Sequence, residues 1–403
     1  MTQTYTNDQN AGARYARELK ERLAQRTGTR AEEWFPVFKA RYGMREVFDA
    51  VTTVHGRGNV VTQLFTCSTA IDPITSARLT PRYAEIDADT VSVDPSAARK
   101  LASPDLRAVV MQHTFGIIDS AQASRLRTLC DATNALLMED SAHCVARLAR
   151  DDEGRPLADV SIHSFGIEKM TPTHFGGAVW VNPKMRDTKL RERILRALSD
   201  LDVIGARLKF VTRIYFTQNR ILAHLPSSVS RPLRHFFVQH GLMEPAIVPL
   251  EQKGGLPYAS LQPSEWINHE AVKGLAGLDS SMTARRNAVA LYLSELAGVT
   301  DAGKLSIPSA VTASDPLLRF PLFVRDEATA QRVLAEVRKA GWFAEPWYRP
   351  ALFPGSLDDA ANGIDEAAKT PVSTRLIAGA VALPTDLDTA ATKKICQIVI
   401  RSL

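Results

Sequence analysis

The most informative stretch of this chain is HSFGIEKMTPTHFGGAVWV, residues 163–181. Its pattern predicts a strand that breaks into a loop around Lys169 and then returns as a second strand. Lysine side chains usually lie on a solvated surface, so a lysine in the turn of an apolar hairpin requires an explanation. A desolvated amine with a lowered pKa can serve as a nucleophile and a proton shuttle. We therefore predict that Lys169 is catalytic.

The residues before this hairpin alternate short apolar runs with amphipathic helical patterns. The runs that predict strands are 59–65, 81–87, 107–113 and 135–140. The patterns that predict helices are 43–54, 69–78, 95–102 and 120–133. Such alternation is typical of βαβ units around a mostly parallel sheet, which indicates a three-layer α/β domain.

Residues that can carry chemistry follow the apolar runs. In sheets of this kind, ligands collect beyond the carboxyl ends of the strands. Cys67, His113, Asp140 and Lys169 each come just after such a run. We expect these four side chains to meet at one edge of the sheet.

The pattern is mostly helical after residue 181 and changes again near the C-terminus. There, 317–324 predicts a strand, 328–341 predicts an amphipathic helix and 391–403 predicts a closing helix. A strand and helices in this order indicate a smaller α+β domain.

We expect three parts along the chain. An N-terminal polar helix or arm would occupy residues 1–30. A large α/β domain would occupy 31–265 and carry a basic helical insertion near 184–256. The small α+β domain would occupy 266–403.

The composition is that of a globular protein, with 45% hydrophobic and 23% charged residues. The first thirty residues have no apolar stretch of the kind that a secretory signal needs, and no apolar run approaches the ~18 residues that cross a bilayer. The four cysteines are scattered, and none has the spacing of a zinc site. We therefore expect a cytoplasmic protein with reduced thiols and no metal site.

Positive charge is concentrated in one segment. Between Val203 and Met243 there is no acidic residue. The cations of this segment are Arg207, Lys209, Arg213, Arg220, Arg231 and Arg234. Such a segment suits a phosphate-bearing partner, an acidic protein face or a membrane surface. A solvated helix face is the alternative interpretation, because the apolar residues of the segment follow a helical period.

Three features of the predicted domain together suit pyridoxal phosphate. Asp140 ends a strand, where a carboxylate can face a ligand, and Ser164 lies five residues before Lys169. Gly43 begins a helical pattern, and the free backbone N–H groups of a helix start can bind phosphate. The cofactor requires a lysine for a Schiff base, a carboxylate for the ring nitrogen and a phosphate seat.

The motifs around these residues resemble those of a known family. EDSAHCVA (139–146) followed by SIHSFGIEKMTPTHFGGAVWV (161–181) is similar to the paired motifs of the DegT/DnrJ/EryC1/StrS family of sugar-nucleotide aminotransferases. HTFGIIDSAQ (113–122), PRYAEIDADTVSVDP (81–95) and LFTCSTAID (64–72) resemble further segments of that family. The resemblance implies the pyridoxal-phosphate transferase fold of type I and a homodimer whose sites are completed at the subunit interface.

The resemblance also implies roles for residues near the cofactor ring. Lys169 would form the Schiff base and later carry the proton between the substrate carbon and the cofactor. Asp140 would pair with the ring nitrogen. His143 would face the phenolic oxygen.

The phosphate and the face of the ring complete the implied cofactor site. Ser164 would bind the phosphate together with the backbone N–H groups of Gly43 and Met44. Cys67 stands where the family commonly has an aromatic residue that stacks on the ring, and Phe65 is a candidate substitute. Met44 follows Gly43 where the family usually has a small hydroxyl residue, which removes one phosphate donor.

We therefore predict a pyridoxal-phosphate-dependent aminotransferase that moves an amino group from an amino acid donor, L-glutamate, to a keto sugar nucleotide. The cofactor would alternate with pyridoxamine phosphate. The segment GGLPYASLQP (254–263) lacks the Asn and Arg with which the family contacts phosphate and nucleotide. Arg207, Lys209 and Arg213 are our candidates for contacts to the substrate diphosphate.

Two alternatives stay open. The first is a pyridoxal-phosphate aminotransferase that acts on a different carbonyl compound. The second is a non-catalytic or regulatory relative whose basic segment binds an acidic partner, a membrane or a nucleic acid. Nucleic acid is the least favoured of these partners, because nothing in the chain resembles a helix-turn-helix.

Overall fold

The computed structural model describes residues 3–171 and 173–403, with side chains from Arg14 onward within those ranges. In chain order, its strands are β1 (Trp34–Val37), β2 (Asn59–Gln63), β3 (Thr66–Cys67), β4 (Thr80–Ala84), β5 (Ile86–Asp87), β6 (Ser92–Val93), β7 (Leu106–Gln112), β8 (Leu136–Asp140), β9 (Val160–Ser164), β10 (Gly177–Val181), β11 (Leu305–Ser306), β12 (Arg319–Val324), β13 (Leu352–Phe353) and β14 (Ala380–Pro384).

Helices cover both faces of the sheets. In chain order, they are α1 (Gln3–Thr27), α2 (Ala40–His55), α3 (Asp72–Ser76), α4 (Pro95–Lys100), α5 (Ser120–Thr133), α6 (Thr188–Ser199), α7 (Ala206–Ala223), α8 (Ser227–Gln239), α9 (Glu265–Ala276), α10 (Leu278–Glu295), α11 (Ala297–Asp301), α12 (Glu327–Lys339), α13 (Pro371–Gly379) and α14 (Thr389–Ser402). No helix of the described ranges is both long and apolar enough to cross a membrane.

A seven-stranded mixed sheet lies at the centre, in the order β1-β10-β9-β8-β7-β2-β4. Five adjacent strands of this sheet run parallel: β9, β8, β7, β2 and β4. β10 instead pairs antiparallel with both β9 and β1. Side chains alternate between two helix layers, as the pleat of a strand requires. In β7, Val110 joins the cluster that contains Phe48 of α2, and its neighbour Val109 joins the cluster that contains Leu126 of α5.

A smaller antiparallel sheet, in the order β11-β12-β14, belongs to the C-terminal part. α10 packs on it through Tyr292, whose ring stacks on Phe320 of β12 with 4.7 Å between centroids. The Tyr292 hydroxyl donates a hydrogen bond to the carbonyl oxygen of Pro384 at 2.9 Å. Farther along the C-terminal part, β13 pairs in parallel with β3, which joins this part to the region of the central sheet.

The start of α2 lies directly against β10, and two glycines allow it. A Cβ on Gly177 would stand 2.7 Å from the carbonyl oxygen of His163 and 3.0 Å from the backbone of Ala40. A Cβ on Gly43 would stand 2.5 Å from Cγ2 of Val179. Any larger residue at either position would therefore push the helix away from the sheet.

The observed architecture confirms the predicted fold class, α/β with a mostly parallel sheet and a smaller α+β part. The hairpin around Lys169 is present as the antiparallel pair β9 and β10. Of the polar helix predicted over 1–30, residues 1 and 2 lie outside the described residues, and α1 covers most of the remainder. The three domain boundaries stay a prediction.

Two predicted elements require correction, and six strands had no prediction: β1, β3, β6, β11, β13 and β14. α2 begins at Ala40 and not at Gly43, because Lys39 has an extended backbone and its carbonyl accepts the first turn's hydrogen bond from Tyr42. The strand predicted over 81–87 is divided into β4 and β5 at Glu85. The carboxylate of Glu85 binds the first N–H groups of α13, which turns the chain there.

We expect Gly177→Ala to lower the free energy of unfolding by about 1–3 kcal/mol, because the new methyl group would overlap two backbone segments. Urea-induced unfolding followed by circular dichroism measures this change. Gly298→Ala is the matched control, since no atom lies within 4 Å of its added methyl group. An unchanged midpoint for Gly177→Ala would contradict the close approach of α2 to β10.

Candidate active site

A cavity of about 280 Å³ opens at the carboxyl ends of the parallel strands. Most of the predicted site residues line it: Met44, Cys67, Asp140, His143, Ser164 and Lys169. Gly43 does not, because it packs against Val179 of the sheet. We expected four side chains to meet at one edge of the sheet, and all four line this cavity: Cys67, His113, Asp140 and Lys169.

Lys169 lies in the loop of residues 165–176, between β9 and β10. The hydroxyl of Thr173 holds this loop by donating to the carbonyl oxygens of Phe165 and Phe175. Lys169 is half-buried, and its Nζ lies 5.7 Å from the centroid of the Trp347 indole. Within the described residues, no hydrogen bond or ion pair holds this amine. Burial lowers the pKa of Lys169, against the opposing influence of Cys67 and Asp140, which favours the neutral amine.

Asp140 is the last residue of β8, and its buried carboxylate forms part of the cavity wall. One of its oxygens accepts a hydrogen bond from the N–H of Ala142 at 3.0 Å. Burial raises the pKa of Asp140, and the Ala142 N–H and the charge of Lys169 offset part of that rise. A buried carboxylate with so little compensation favours a cationic partner, such as a protonated pyridine nitrogen.

A second buried pair lies beside Asp140, and the sequence had indicated only one of its members. Nε2 of His113 lies 2.7 Å from Oε1 of Glu139, which also accepts a hydrogen bond from the N–H of Ala149 at 2.6 Å. Burial alone would raise the pKa of Glu139, but the hydrogen bond and charge of His113 lower it overall. An ionised carboxylate therefore stands behind His113, whose ring lines the cavity.

His143 uses both ring nitrogens in contacts with the protein. Nδ1 accepts a hydrogen bond from the backbone N–H of Phe115 at 3.0 Å, and Nε2 lies 2.8 Å from the hydroxyl of Tyr348. Burial lowers the pKa of His143 well below its usual value, and the positive charges of Lys169 and Arg319 lower it further. The imidazole is therefore neutral, and its predicted contact with a phenolic oxygen stays a prediction.

The first turn of α2 forms another part of the cavity wall. Lys39 and Arg41 line the cavity there, opposite Ser164 at the end of β9. Nζ of Lys39 lies 2.6 Å from Oε1 of Glu244, and Nη1 of Arg41 lies 2.7 Å from Oε1 of Glu251. Helix N-termini attract anions through their free N–H groups, whereas the charges of Lys39 and Arg41 are each paired with a carboxylate. Because α2 begins at Ala40, the free N–H groups come earlier in the chain than predicted.

An aromatic wall from the C-terminal part closes the cavity, and the sequence reasoning missed it. Trp347 and Tyr348 line the cavity, and the indole stacks on His143 with 5.3 Å between centroids and 12° between planes. Phe65, the candidate substitute for stacking, is fully buried behind Tyr348 and does not line the cavity. The available signal was the aromatic pair in EPWYRP (345–350).

The three predicted substrate contacts lie on α7, outside the cavity lining. Arg207 donates to the carbonyl oxygen of Gly241 at 3.0 Å and lies 3.9 Å from Glu244. Lys209 and Arg213 are exposed. The structure thus leaves these two cations available to a partner but does not bring them into contact with Lys169.

The residues of this cavity fit pyridoxal phosphate. Lys169 and Asp140 face the same space, so an aldehyde and a ring nitrogen of one molecule could meet both. Ser164 and the first turn of α2 offer hydroxyl and N–H donors to a phosphate. This donor set, an unpaired amine, a poorly compensated carboxylate and a helix N-terminus, agrees with the cofactor that the sequence predicts.

Comparisons with known proteins point to one family. Residues 43–207 match the profile of the DegT/DnrJ/EryC1/StrS aminotransferase family. The spore coat polysaccharide biosynthesis protein SpsC of Bacillus subtilis (strain 168) is 26% identical over 140 residues, which cover 35% of this chain and 36% of that protein. The GDP-perosamine synthase of Vibrio cholerae is 26% identical over 123 residues, which cover 30% of this chain and 33% of the synthase. The chain thus spans about a third of the length of these curated relatives.

The fold has solved counterparts over nearly its whole length. The crystal structure of NtdA from Bacillus subtilis, with bound cofactor PMP, matches 96% of this chain and 77% of that chain. The TM-score is 0.69 and the sequence identity is 13%. The likeness therefore supports the fold and not a particular substrate.

One ionisable group near the cavity is not part of this donor set. Asp72, at the start of α3, is fully buried, and neither of its carboxyl oxygens has a hydrogen-bond partner among the described residues. Burial, together with the nearby charge of Glu251, raises the pKa of Asp72 to about 9. In the unfolded chain an aspartate has a pKa near ~4, so the folded state retains a proton over this interval. The free energy of unfolding should therefore fall as the pH rises from ~4 toward 9.

Replacing Asp72 with Asn should remove that dependence, because the amide has a similar shape and does not titrate. At pH 8 we expect Asp72→Asn to unfold at a higher urea concentration than the wild type. Its free energy of unfolding should be higher by about 1 kcal/mol or more at pH 8, with a smaller difference at pH 5. Asp89→Asn, at an exposed position, is the control for loss of a surface carboxylate. Parallel pH profiles for Asp72→Asn and the wild type would be inconsistent with a protonated Asp72.

Proposed function

We propose that this chain, whose residues 43–207 match the profile of the DegT/DnrJ/EryC1/StrS aminotransferase family, is a pyridoxal-phosphate-dependent aminotransferase with L-glutamate as amino donor and a keto sugar nucleotide as acceptor. The observation that carries the proposal is the placement of the unpaired amine of Lys169 and the buried carboxylate of Asp140 on one cavity. A homodimer, which the resemblance implies, is part of the proposal.

The chemistry divides between the cofactor and the protein. When bound, the cofactor supplies an aldehyde for amine exchange and a protonated ring that withdraws electrons from the reacting carbon. Asp140 would accept a hydrogen bond from the ring nitrogen and hold the proton there. Lys169, whose lowered pKa favours the neutral amine, would carry the proton between the substrate carbon and the cofactor.

Other residues orient the cofactor and exclude water. Ser164 and the free N–H groups in the first turn of α2 would hold the phosphate. Trp347 covers the space above Lys169 and limits the access of water to the amine. Exclusion of water from the cavity strengthens the electrostatic contacts that hold the reacting groups in place.

The sugar nucleotide is supported by the relatives and by the surface charge. One relative is named a GDP-perosamine synthase and another a polysaccharide biosynthesis protein. Lys209 and Arg213 are exposed on α7, in a segment without acidic residues, where a diphosphate could bind.

A second candidate is an aminotransferase for a different carbonyl compound. The observation that favours it lies in the segment 254–263, which has no Asn or Arg for nucleotide contacts. Its Tyr258 instead donates a hydrogen bond to Glu244 at 2.7 Å. A screen of keto acids and ketosugars with and without a nucleotide distinguishes the two candidates.

The first test is the visible absorption spectrum of the protein reconstituted with pyridoxal phosphate. We expect an absorbance band for the lysine-bound cofactor, and we expect L-glutamate to convert that band to the spectrum of pyridoxamine phosphate. Lys169→Ala should show neither the band nor borohydride trapping of the cofactor on the protein. Absence of the band in the wild type would remove the cofactor assignment.

A second test concerns the proposed substrate cations. Replacing Lys209 and Arg213 with Gln should raise KM for a nucleotide-linked ketosugar about tenfold, because one or two charge-assisted contacts to phosphate are lost. The half-reaction with L-glutamate should keep its rate. The matched control is Arg220→Gln and Arg231→Gln, which removes two exposed cations of the same basic segment. Equal KM values for the test and control variants would eliminate these contacts.

A further inference from the structure

The hydrogen bonds of His143 fix its tautomer. The backbone N–H of Phe115 can only donate, so Nδ1 of His143 must accept and carries no hydrogen. The ring is neutral, because burial and nearby positive charge lower the pKa of His143. Its single N–H is therefore on Nε2, which donates to the hydroxyl oxygen of Tyr348 at 2.8 Å.

This arrangement determines what the Tyr348 hydroxyl can do. Its oxygen accepts from His143, so its own hydrogen must point elsewhere. No other hydrogen bond joins this hydroxyl to a described residue, and Tyr348 lines the cavity. Burial raises the pKa of Tyr348 well above its usual value, so the hydroxyl keeps its proton. The cavity thus contains a fixed donor that has no acceptor in the described part of the chain.

The donor lies on the side of the cavity where Lys169 lies. Nζ of Lys169 lies 5.7 Å from the centroid of the Trp347 indole, and this indole is the neighbour of Tyr348 in the chain and stacks on His143. In pyridoxal phosphate the phenolic oxygen is bonded to the ring carbon next to the one that carries the aldehyde. When Lys169 bonds to that aldehyde carbon, the phenolic oxygen must lie beside the lysine nitrogen.

We propose that the hydroxyl of Tyr348 donates a hydrogen bond to the phenolic oxygen of the bound cofactor, with His143 behind it as a positioning residue. The contact that the resemblance implies for His143 is then made by Tyr348, a residue of the C-terminal part. The inference rests on the proposed function, because it requires the cofactor.

The test is a spectrophotometric pH titration of the bound cofactor in the absence of substrate. A hydrogen bond to the phenolic oxygen stabilises its negative charge most when the proton on the adjacent nitrogen has been lost. Without the donor, the adjacent nitrogen should therefore hold its proton more tightly. We expect Tyr348→Phe to raise the pH midpoint of the absorbance change by about one unit or more.

A matched control separates this effect from the general loss of a buried hydroxyl. Tyr292 is also buried, and its hydroxyl donates to Pro384 in the C-terminal sheet, away from the cavity lining. Tyr292→Phe should leave the midpoint unchanged. If circular dichroism shows that Tyr348→Phe does not fold, His143→Leu keeps the inference falsifiable. This variant leaves the Tyr348 hydroxyl without its orienting partner, so an unmoved midpoint in folded His143→Leu overturns the inference.

The outcomes separate failure of this inference from failure of the proposed function. A wild type that shows no cofactor band refutes the function, and the inference with it. A wild-type band whose midpoint does not move in folded Tyr348→Phe overturns the inference alone. A midpoint that moves in His143→Leu but not in Tyr348→Phe also overturns it, because His143 would then contact the oxygen directly.

Discussion

The site depends on the removal of one lysine amine from water without a paired carboxylate. Desolvation penalises the charged form of Lys169, which shifts the amine toward the neutral state that a nucleophile needs. Such a group costs stability, so the surrounding structure must hold it in place. The loop of residues 165–176 does so because it connects two paired strands, β9 and β10, of the central sheet, and Thr173 closes its backbone.

The same region of the sheet also sets the position of the helix that faces the lysine. α2 approaches β10 closely because Gly43 and Gly177 have no Cβ to separate them from the opposing backbone and side chains. Its first turn then lies on the same cavity as Asp140 and Lys169. One packing arrangement thus places the N-terminus of α2 beside the amine of Lys169 and the carboxylate of Asp140. The two cations at the helix start are each held by a carboxylate from the segment after α8.

Much of this arrangement could be predicted from short patterns in the sequence. The parallel strands, the hairpin and the order of Asp140, Ser164 and Lys169 depend on local periodicity and on residues at strand ends, which a sequence displays directly. The start of α2 was misplaced because Gly43 was interpreted as a phosphate seat, whereas its lack of a side chain serves packing against Val179. The partners of buried groups were also missed, since the contact of Glu139 with His113 depends on neighbouring strands.

The aromatic wall could not be predicted because its contacts are remote along the chain. Tyr348 and His143 are 205 residues apart, and nothing near His143 in the sequence indicates that a tyrosine will hold it. The adjacent β13 pairs with β3, so a segment near the end of the chain is joined to one near its beginning. During synthesis on the ribosome, the loop with Lys169 emerges long before Trp347 and Tyr348. The enclosed cavity around the amine can therefore form only after the C-terminal part has been translated and has docked.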